Sequence, residues 1–292
     1  MFRYLVLLAA TILPAFGADD ALHAQVTMLF KQRQWAEAQV ILQKVTAAEP
    51  DNAAAWFYLG QSYQFRDDAE HSVPAFEKAT SLAPTNSIYQ CYLGDAYGLA
   101  ALKAGLFAKL DWAQKCKSAY DKAVELDPKN IRARVSVMEF CRQAPGFLGG
   151  GMDKAYAQAA EIQKLDPVRG RKAYAGLYLA DKKYPEAFAL YESALREKPG
   201  DDDSLYSIGR LATITGQQLD RGLAALREIL TQPGKANHAP TQTLVGNLLE
   251  KKGDKPAALA AYQAALTGDP KYVPALEALR KLNESGGGVA RK

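Results

Sequence analysis

Along most of the chain, apolar residues recur three and four positions apart, and each run with this spacing ends near a proline. Between Ala53 and Pro84, Trp56, Leu59, Gly60 and Tyr63 share one helical face, and Phe76 and Ala79 follow on a second helix. Leu93, Gly94 and Tyr97 repeat the first set, and "AYDKAVELDP" places Tyr120 and Ala123 in register with Phe76 and Ala79. "YPEAFALYESALREKP" does the same with Ala187, Tyr191, Ala194 and Pro199, and "KPAALAAYQAALTGDP" with Ala258, Tyr262, Ala265 and Pro270. Seven prolines (Pro50, Pro84, Pro128, Pro167, Pro199, Pro233 and Pro270) stand 34, 44, 39, 32, 34 and 37 residues apart. Phrases such as "AAEPDN", "ELDPKN", "KLDPVR" and "TGDPKY" stop one helix and cap the next with aspartate, because proline cannot continue a helix. The pattern predicts helical hairpins that must stack, since one hairpin cannot bury its apolar face alone. Small residues (Gly60, Gly94, Ala175) let paired helices approach closely, and Tyr63, Tyr97 and Tyr178 fill the space beside them.

These residues resemble the tetratricopeptide repeat, W-x2-L-G-x2-Y followed by A-x3-F-x2-A and then P. The likeness is strong in the second repeat and clear in the third, fifth and seventh. The first, Asp19 to Asn52, keeps Ala38 and Pro50 without the leading aromatic and glycine. The sixth keeps Gly209 and Pro233 and slips by about one residue near Gly222, and "YVPALEALRKLNE" reads as a closing helix. The resemblance implies an all-α, right-handed superhelical solenoid of about seven helix-turn-helix units plus a C-terminal capping helix, over residues 18–283. The run from "LGDAYGLAALKAGLF" to "QKLDPVRG" is similar to exported bacterial members with a lengthened third repeat and a PG-x2-GG loop, a group without an established activity.

In that family, positions 2, 5, 9 and 12 of each first helix face inward. Carried over by register, they are Phe57, Gln61 and Gln64, then Cys91 and Asp95, then Arg132, Glu139 and Arg142, then Arg169 and Lys172, then Tyr206 and Arg210. The expected partner is a protein or an extended peptide, with arginine meeting carboxylates and rings supplying buried contact. A cell-envelope glycan or polymer, resting on Phe57, Tyr58 and Tyr92, is the alternative. A third possibility is that these charges only keep the surface solvated. Where the family's carboxylate clamp has lysine and asparagine, this chain has Phe57 and Gln61, then Cys91 and Asp95, so that mode of recognition is not implied.

Two proline spacings exceed 34 residues by ten and five. The first excess lies in "GLAALKAGLFAKLDWAQKCKSAY", where both helices of the third repeat read as lengthened. The second is "APGFLGGG", Ala144 to Gly151, between the helices of the fourth repeat. Glycines before a helix, with Lys154 nearby, are compatible with an anion site. A P-loop needs G-x4-G-K-[ST] and a dinucleotide loop needs G-x-G-x2-G after a strand, and neither is present. The loop is therefore expected to be architectural, or to offer Phe147 and Leu148 as a protruding contact.

Composition adds limits. Of 292 residues, 48% are hydrophobic and 23% charged, which is a folded composition. A net charge of +4 without a dense Lys/Arg run argues against nucleic acid. Residues 1–17 read as a signal peptide: Arg3, an apolar stretch from Tyr4 to Phe16, and a small-x-small site at Ala15-Phe16-Gly17. Retention of this stretch as an anchor is the other possibility. No later stretch is apolar enough to span a membrane, so the mature chain is expected to be periplasmic or secreted. Residues 284–292, within "NESGGGVARK", are expected to form a flexible tail.

Cys91, Cys116 and Cys141 are too few for a disulfide framework and are expected as buried thiols, although a pair such as Cys116 and Cys141 is not excluded. His23, His71 and His238 lie in different repeats. "RDDAEH" lacks recognised metal-ligand spacing, and "GDDDS" places acids at a helix start. No nucleophile elbow or H-E-x2-H motif occurs. No catalytic residue, metal or cofactor is therefore expected, and the chain reads as a binding protein rather than an enzyme.

Overall fold

The computed structural model describes residues 18–286, so the expected leader and most of the expected tail lie outside the described residues. The chain divides into two compact units between Leu165 and Asp166. In the first unit, four antiparallel hairpins follow one another: α1 (Ala18–Lys31) with α2 (Trp35–Ala48), α3 (Ala53–Gln64) with α4 (Ala69–Leu82), α5 (Ser87–Lys103) with α6 (Leu106–Leu126), and α7 (Ile131–Gln143) with α8 (Met152–Leu165). The second unit holds α9 (Pro167–Ala180) with α10 (Tyr184–Glu197), α11 (Asp202–Thr215) with α12 (Leu219–Leu230), α13 (Ala239–Lys251) with α14 (Lys255–Gly268), and a closing helix, α15 (Val273–Gly286). Within each unit, the second helix of one hairpin packs on the first helix of the next. Among the described residues there are no strands.

One lock recurs inside the hairpins. A Cβ placed on Gly60 would stand 2.9 Å from the Phe76 ring, one on Gly94 2.5 Å from Tyr120, one on Gly209 2.4 Å from Leu226, and one on Gly246 2.3 Å from Tyr262. The missing side chain on the first helix makes room for the large one on the second, and Phe76, Leu226 and Tyr262 are fully buried. The core of the second unit continues through Phe188, Leu205, Ile208 and Leu248.

Three helix starts differ from the expected aspartate caps. After Pro50, Pro84 and Pro128 the capping residue is asparagine: Asn52, Asn86 and Asn130 accept from backbone N–H groups of α3, α5 and α7. The aspartate before Pro128 instead accepts from Lys129 N at 2.9 Å and shapes the turn. Asp166 caps α9 directly, because Pro167 already occupies the first helical position. Asn130 also donates to Ser87 Oγ at 2.7 Å, and that hydroxyl donates to the Ala123 carbonyl at 2.7 Å, which ties three helix ends together.

The two long spacings have different origins. The first is two longer helices, α5 with 17 residues and α6 with 21, where the following α7 and α8 have 13 and 14. The second is a folded loop: a 3-10 turn at Gly146–Leu148, then Gly149 and Gly151 at φ of 85° and 138°. Gly151 N donates to the Cys141 carbonyl at 2.7 Å, and Lys154 Nζ donates to the Gly149 carbonyl at 3.2 Å, so this lysine serves the loop. A Cβ on Gly150 would lie 1.8 Å from the Ala144 carbonyl oxygen. Cys91, Cys116 and Cys141 are buried free thiols.

Candidate functional site

In the first unit the sequence-selected residues form one connected set on α3, α5 and α7. Phe57 is buried, stacks on Tyr89 with centroids 4.4 Å apart and meets Tyr92 edge-on at 5.0 Å. The Arg132 guanidinium lies 4.0 Å from the Tyr92 ring centroid. Arg132 Nη2 also pairs with Asp95 Oδ2 at 2.5 Å, while Tyr120 donates its hydroxyl to Asp95 Oδ1 at 2.7 Å. Burial works against the charge on Arg132, but Asp95, Tyr92 and Cys91 outweigh it and raise its pKa. Burial first, and then the Asp95 charge, push Tyr120 far above the ordinary phenol value, so it stays a donor. Gln61 is buried, and Tyr58 is half-buried beside His23, to which it hydrogen-bonds. Burial raises the Tyr58 pKa.

The remaining cations divide into two kinds. Arg142 is held by Glu139 at 2.7 Å and Arg169 by Asp166 at 3.4 Å, each within its own helix turn. Lys172 on α9 and Arg210 on α11 are exposed and form no ion pair among the described residues. They edge a recess of about 210 Å³ that Tyr191 and Ser207 also line. Tyr191 is buried, and burial raises its pKa, opposed by Ser207, Arg210 and Arg171. Gly176 lies on the wall of this recess, and a Cβ there would meet nothing within 4 Å. Packing therefore does not call for that glycine; its effect is to leave the recess open. Tyr206, half-buried on α11, lies outside the lining.

Phe147 and Leu148 line a larger apolar cleft, of about 760 Å³, in the first unit between α5, α6, α7 and their own loop. Sequence reasoning singled out the loop residues and missed the other walls, Leu99, Leu102, Leu106, Leu110 and Phe140. The available signal was the apolar run in "GLAALKAGLFAKL", which exceeds what the repeat needs.

Of the acids that stood out in the sequence, Asp67, Asp68, Asp201 and Asp202 are occupied. Asp68 caps α4 and receives His71 Nδ1 at 2.9 Å, and His71 stacks on Tyr63 at 5.1 Å. Asp201 caps α11, and Asp202 pairs with Lys235. Among the described residues, no group of three acids, histidines or cysteines is placed to hold a metal ion. No helix there is long and apolar enough to cross a membrane.

Models of the tetratricopeptide repeat match residues 23–87 and 98–130. The crystal structure of a tetratricopeptide repeat protein from Parabacteroides merdae ATCC 43184 superposes with a TM-score of 0.56 at 17% identity, covering 90% of this chain and 98% of that one. The matched segments are tetratricopeptide repeats, and the described fold is that of tetratricopeptide-repeat proteins. Tetratricopeptide repeat protein 37 of Xenopus laevis is 25% identical over 264 residues, which is 85% of this chain and 15% of that protein. Cellulose synthase operon protein C of Pseudomonas fluorescens (strain SBW25) is 32% identical over 121 residues, 38% of this chain and 9% of that protein. The chain thus spans a small part of either curated relative. The tetratricopeptide fold is that of a protein-interaction repeat protein. In this chain the register positions expected to face inward carry a buried Phe57 and Gln61 in the first unit and open cations in the second.

Proposed function

We propose that the chain is a non-catalytic scaffold that binds an extended, acidic segment of a protein partner along its first helices. The observation carrying this reading is the recess between α9 and α11. There Lys172 and Arg210 lack an ion pair among the described residues, beside the hydroxyl-bearing Tyr191 and Ser207 and an open glycine. A carboxylate entering it gains charge-assisted hydrogen bonds without displacing an internal partner. Arg132 and Arg142 are poorer candidates, because Asp95 and Glu139 already hold them. The occupied acids at Asp68 and Asp202 support the non-catalytic reading. We place the chain in the periplasm or outside the cell, on Arg3, the apolar stretch from Tyr4 to Phe16 and the Ala15-Phe16-Gly17 site.

Selection from a random peptide library on the full chain tests this. Acidic peptides should be enriched, and Lys172→Ala with Arg210→Ala should weaken the selected peptides about tenfold or more, less so at high salt. Equal affinity for both proteins, or selection without acidic bias, would refute it. A second reading, binding or assembly of a cell-envelope polymer, draws on the similarity to Cellulose synthase operon protein C and on the Tyr58 and Tyr92 rings. Glycan binding lost with Tyr92→Ala and kept with Lys172→Ala would favour it.

A further inference from the structure

The recess of the second unit is built from equivalent faces of two helices. Lys172 and Leu179 on α9 stand 35 residues before Ser207 and Ile214 on α11, and all four line it. Steps of three, four and seven residues keep Lys172, Gly176 and Leu179 on one helical face, and Ser207, Arg210 and Ile214 on another. As the first helices of successive hairpins, α9 and α11 run in the same direction. The lining therefore changes along their length. Lys172, Ser207 and Arg210 supply a polar, cationic end, and Leu179 and Ile214 an apolar end one or two turns further on. Ile214 is 58% exposed, Leu179 is half-buried, and Gly176 leaves open space between the two ends.

We propose that this recess reads two residues of the bound segment together, an acidic residue and an aliphatic residue two positions away from it. Resting on the acidic-segment reading, this adds the neighbour that must accompany the acid. From Arg210 to Ile214, α11 rises about 6 Å at about 1.5 Å per residue. In an extended chain, residues i and i+2 point to the same side and stand about 6.8 Å apart. An acidic side chain held by Lys172 and Arg210 thus brings the residue two away against Leu179 and Ile214, and the residue between them faces outward. Adjacent residues point to opposite sides of an extended chain, so an acid and its immediate neighbour cannot both enter.

Charge and size agree with this occupant. No acid is among the lining residues, and Lys172 and Arg210 form no ion pair among the described residues. A carboxylate there gains charge-assisted hydrogen bonds, and an aliphatic side chain takes Ile214 out of water. A volume of about 210 Å³ equals that of roughly seven waters at about 30 Å³ each, which is room for two short side chains but not for a helix.

Fluorescence anisotropy with the full chain tests the proposal, using short labelled serine-glycine peptides blocked at both ends. Two of them carry Glu-Ser-Leu or Leu-Ser-Glu, a third has the leucine next to the glutamate, and a fourth has serine in place of leucine. The better of the first two should bind about tenfold tighter than the third and fourth. Ile214→Ser should remove that preference. Gly176→Leu, whose Cβ meets nothing within 4 Å, should close the recess to every peptide, and a thermal melt checks that both variants fold. Equal binding of all four peptides, weakened by Lys172→Ala with Arg210→Ala, overturns this proposal and leaves the acidic-segment reading standing. A preference that survives Ile214→Ser overturns it as well. Binding indifferent to the double variant overturns both readings. Binding of decanoate where none of the four peptides binds assigns the recess to a fatty carboxylate and overturns the proposal.

Discussion

The contact that most sharply exposes the energetics of the first unit is the one between Asp95 and Tyr120. Asp95 answers two donors at once: the buried Tyr120 hydroxyl at 2.7 Å and the half-exposed Arg132 guanidinium at 2.5 Å. Asp95→Ala leaves the hydroxyl with no acceptor in a buried position, at about 1–3 kcal/mol. It also loses the Arg132 pair, about 1 kcal/mol or less because the arginine is screened by water. Tyr120→Phe removes the donor and its demand together, at about 1 kcal/mol, and leaves Asp95 with Arg132. In the Tyr120→Phe background no hydroxyl remains to be stranded, so Asp95→Ala should cost only the Arg132 share. The two substitutions should therefore couple by about 1–3 kcal/mol, the cost of the stranded hydroxyl. All three tryptophans, Trp35, Trp56 and Trp112, belong to the first unit, so urea unfolding followed by tryptophan fluorescence reads that unit selectively. Additivity within about 0.5 kcal/mol across the four proteins would refute the argument that Asp95 is held in place by the buried hydroxyl.

Other outcomes follow from the same geometry. Gly246→Ala should destabilise the second unit by about 1–3 kcal/mol, since the new Cβ meets the Tyr262 ring at 2.3 Å, while Gly176→Ala, meeting nothing, should stabilise by up to about 1 kcal/mol; chemical denaturation followed by circular dichroism compares them. Burial pushes the Cys116 thiol up to about 12, so a thiol reagent at pH 8 should label it slowly in the native chain and fully in urea. Because that value is raised on folding from about 9, its contribution to stability is complete below pH 9 and is lost as pH rises toward 12, and the urea midpoint should fall over that range.

Much of the fold was legible because the repeat writes the same size relation at fixed spacing. Gly60 and Gly94 are recognisable as points of close approach before any coordinates, but the rings expected beside them were Tyr63 and Tyr97, and the structure sets Phe76 and Tyr120 of the second helices against them. Cap identity was less legible. Aspartate and asparagine both suit a cap, and only the path of the turn after Pro128 assigns Asp127 to the turn and Asn130 to the helix. At the candidate site, register placed Lys172 and Arg210 on the inner face but could not separate them from Arg132 and Arg142. That separation depends on which carboxylate lies within reach, and Asp95 reaches Arg132 from a helix 37 residues away.

By itself, then, the sequence determined the helical hairpins, their order and small residues such as Gly60 and Gly94 at which paired helices approach, because these rest on spacing within about 34 residues. Only the tertiary structure decided which charges are answered internally, that Gly176 opens a recess, and that the longer α5–α6 hairpin overhangs its successor to leave a cleft. Those properties arise between hairpins, where the length of one element sets what its neighbour leaves uncovered, and no pattern within a single repeat records that difference.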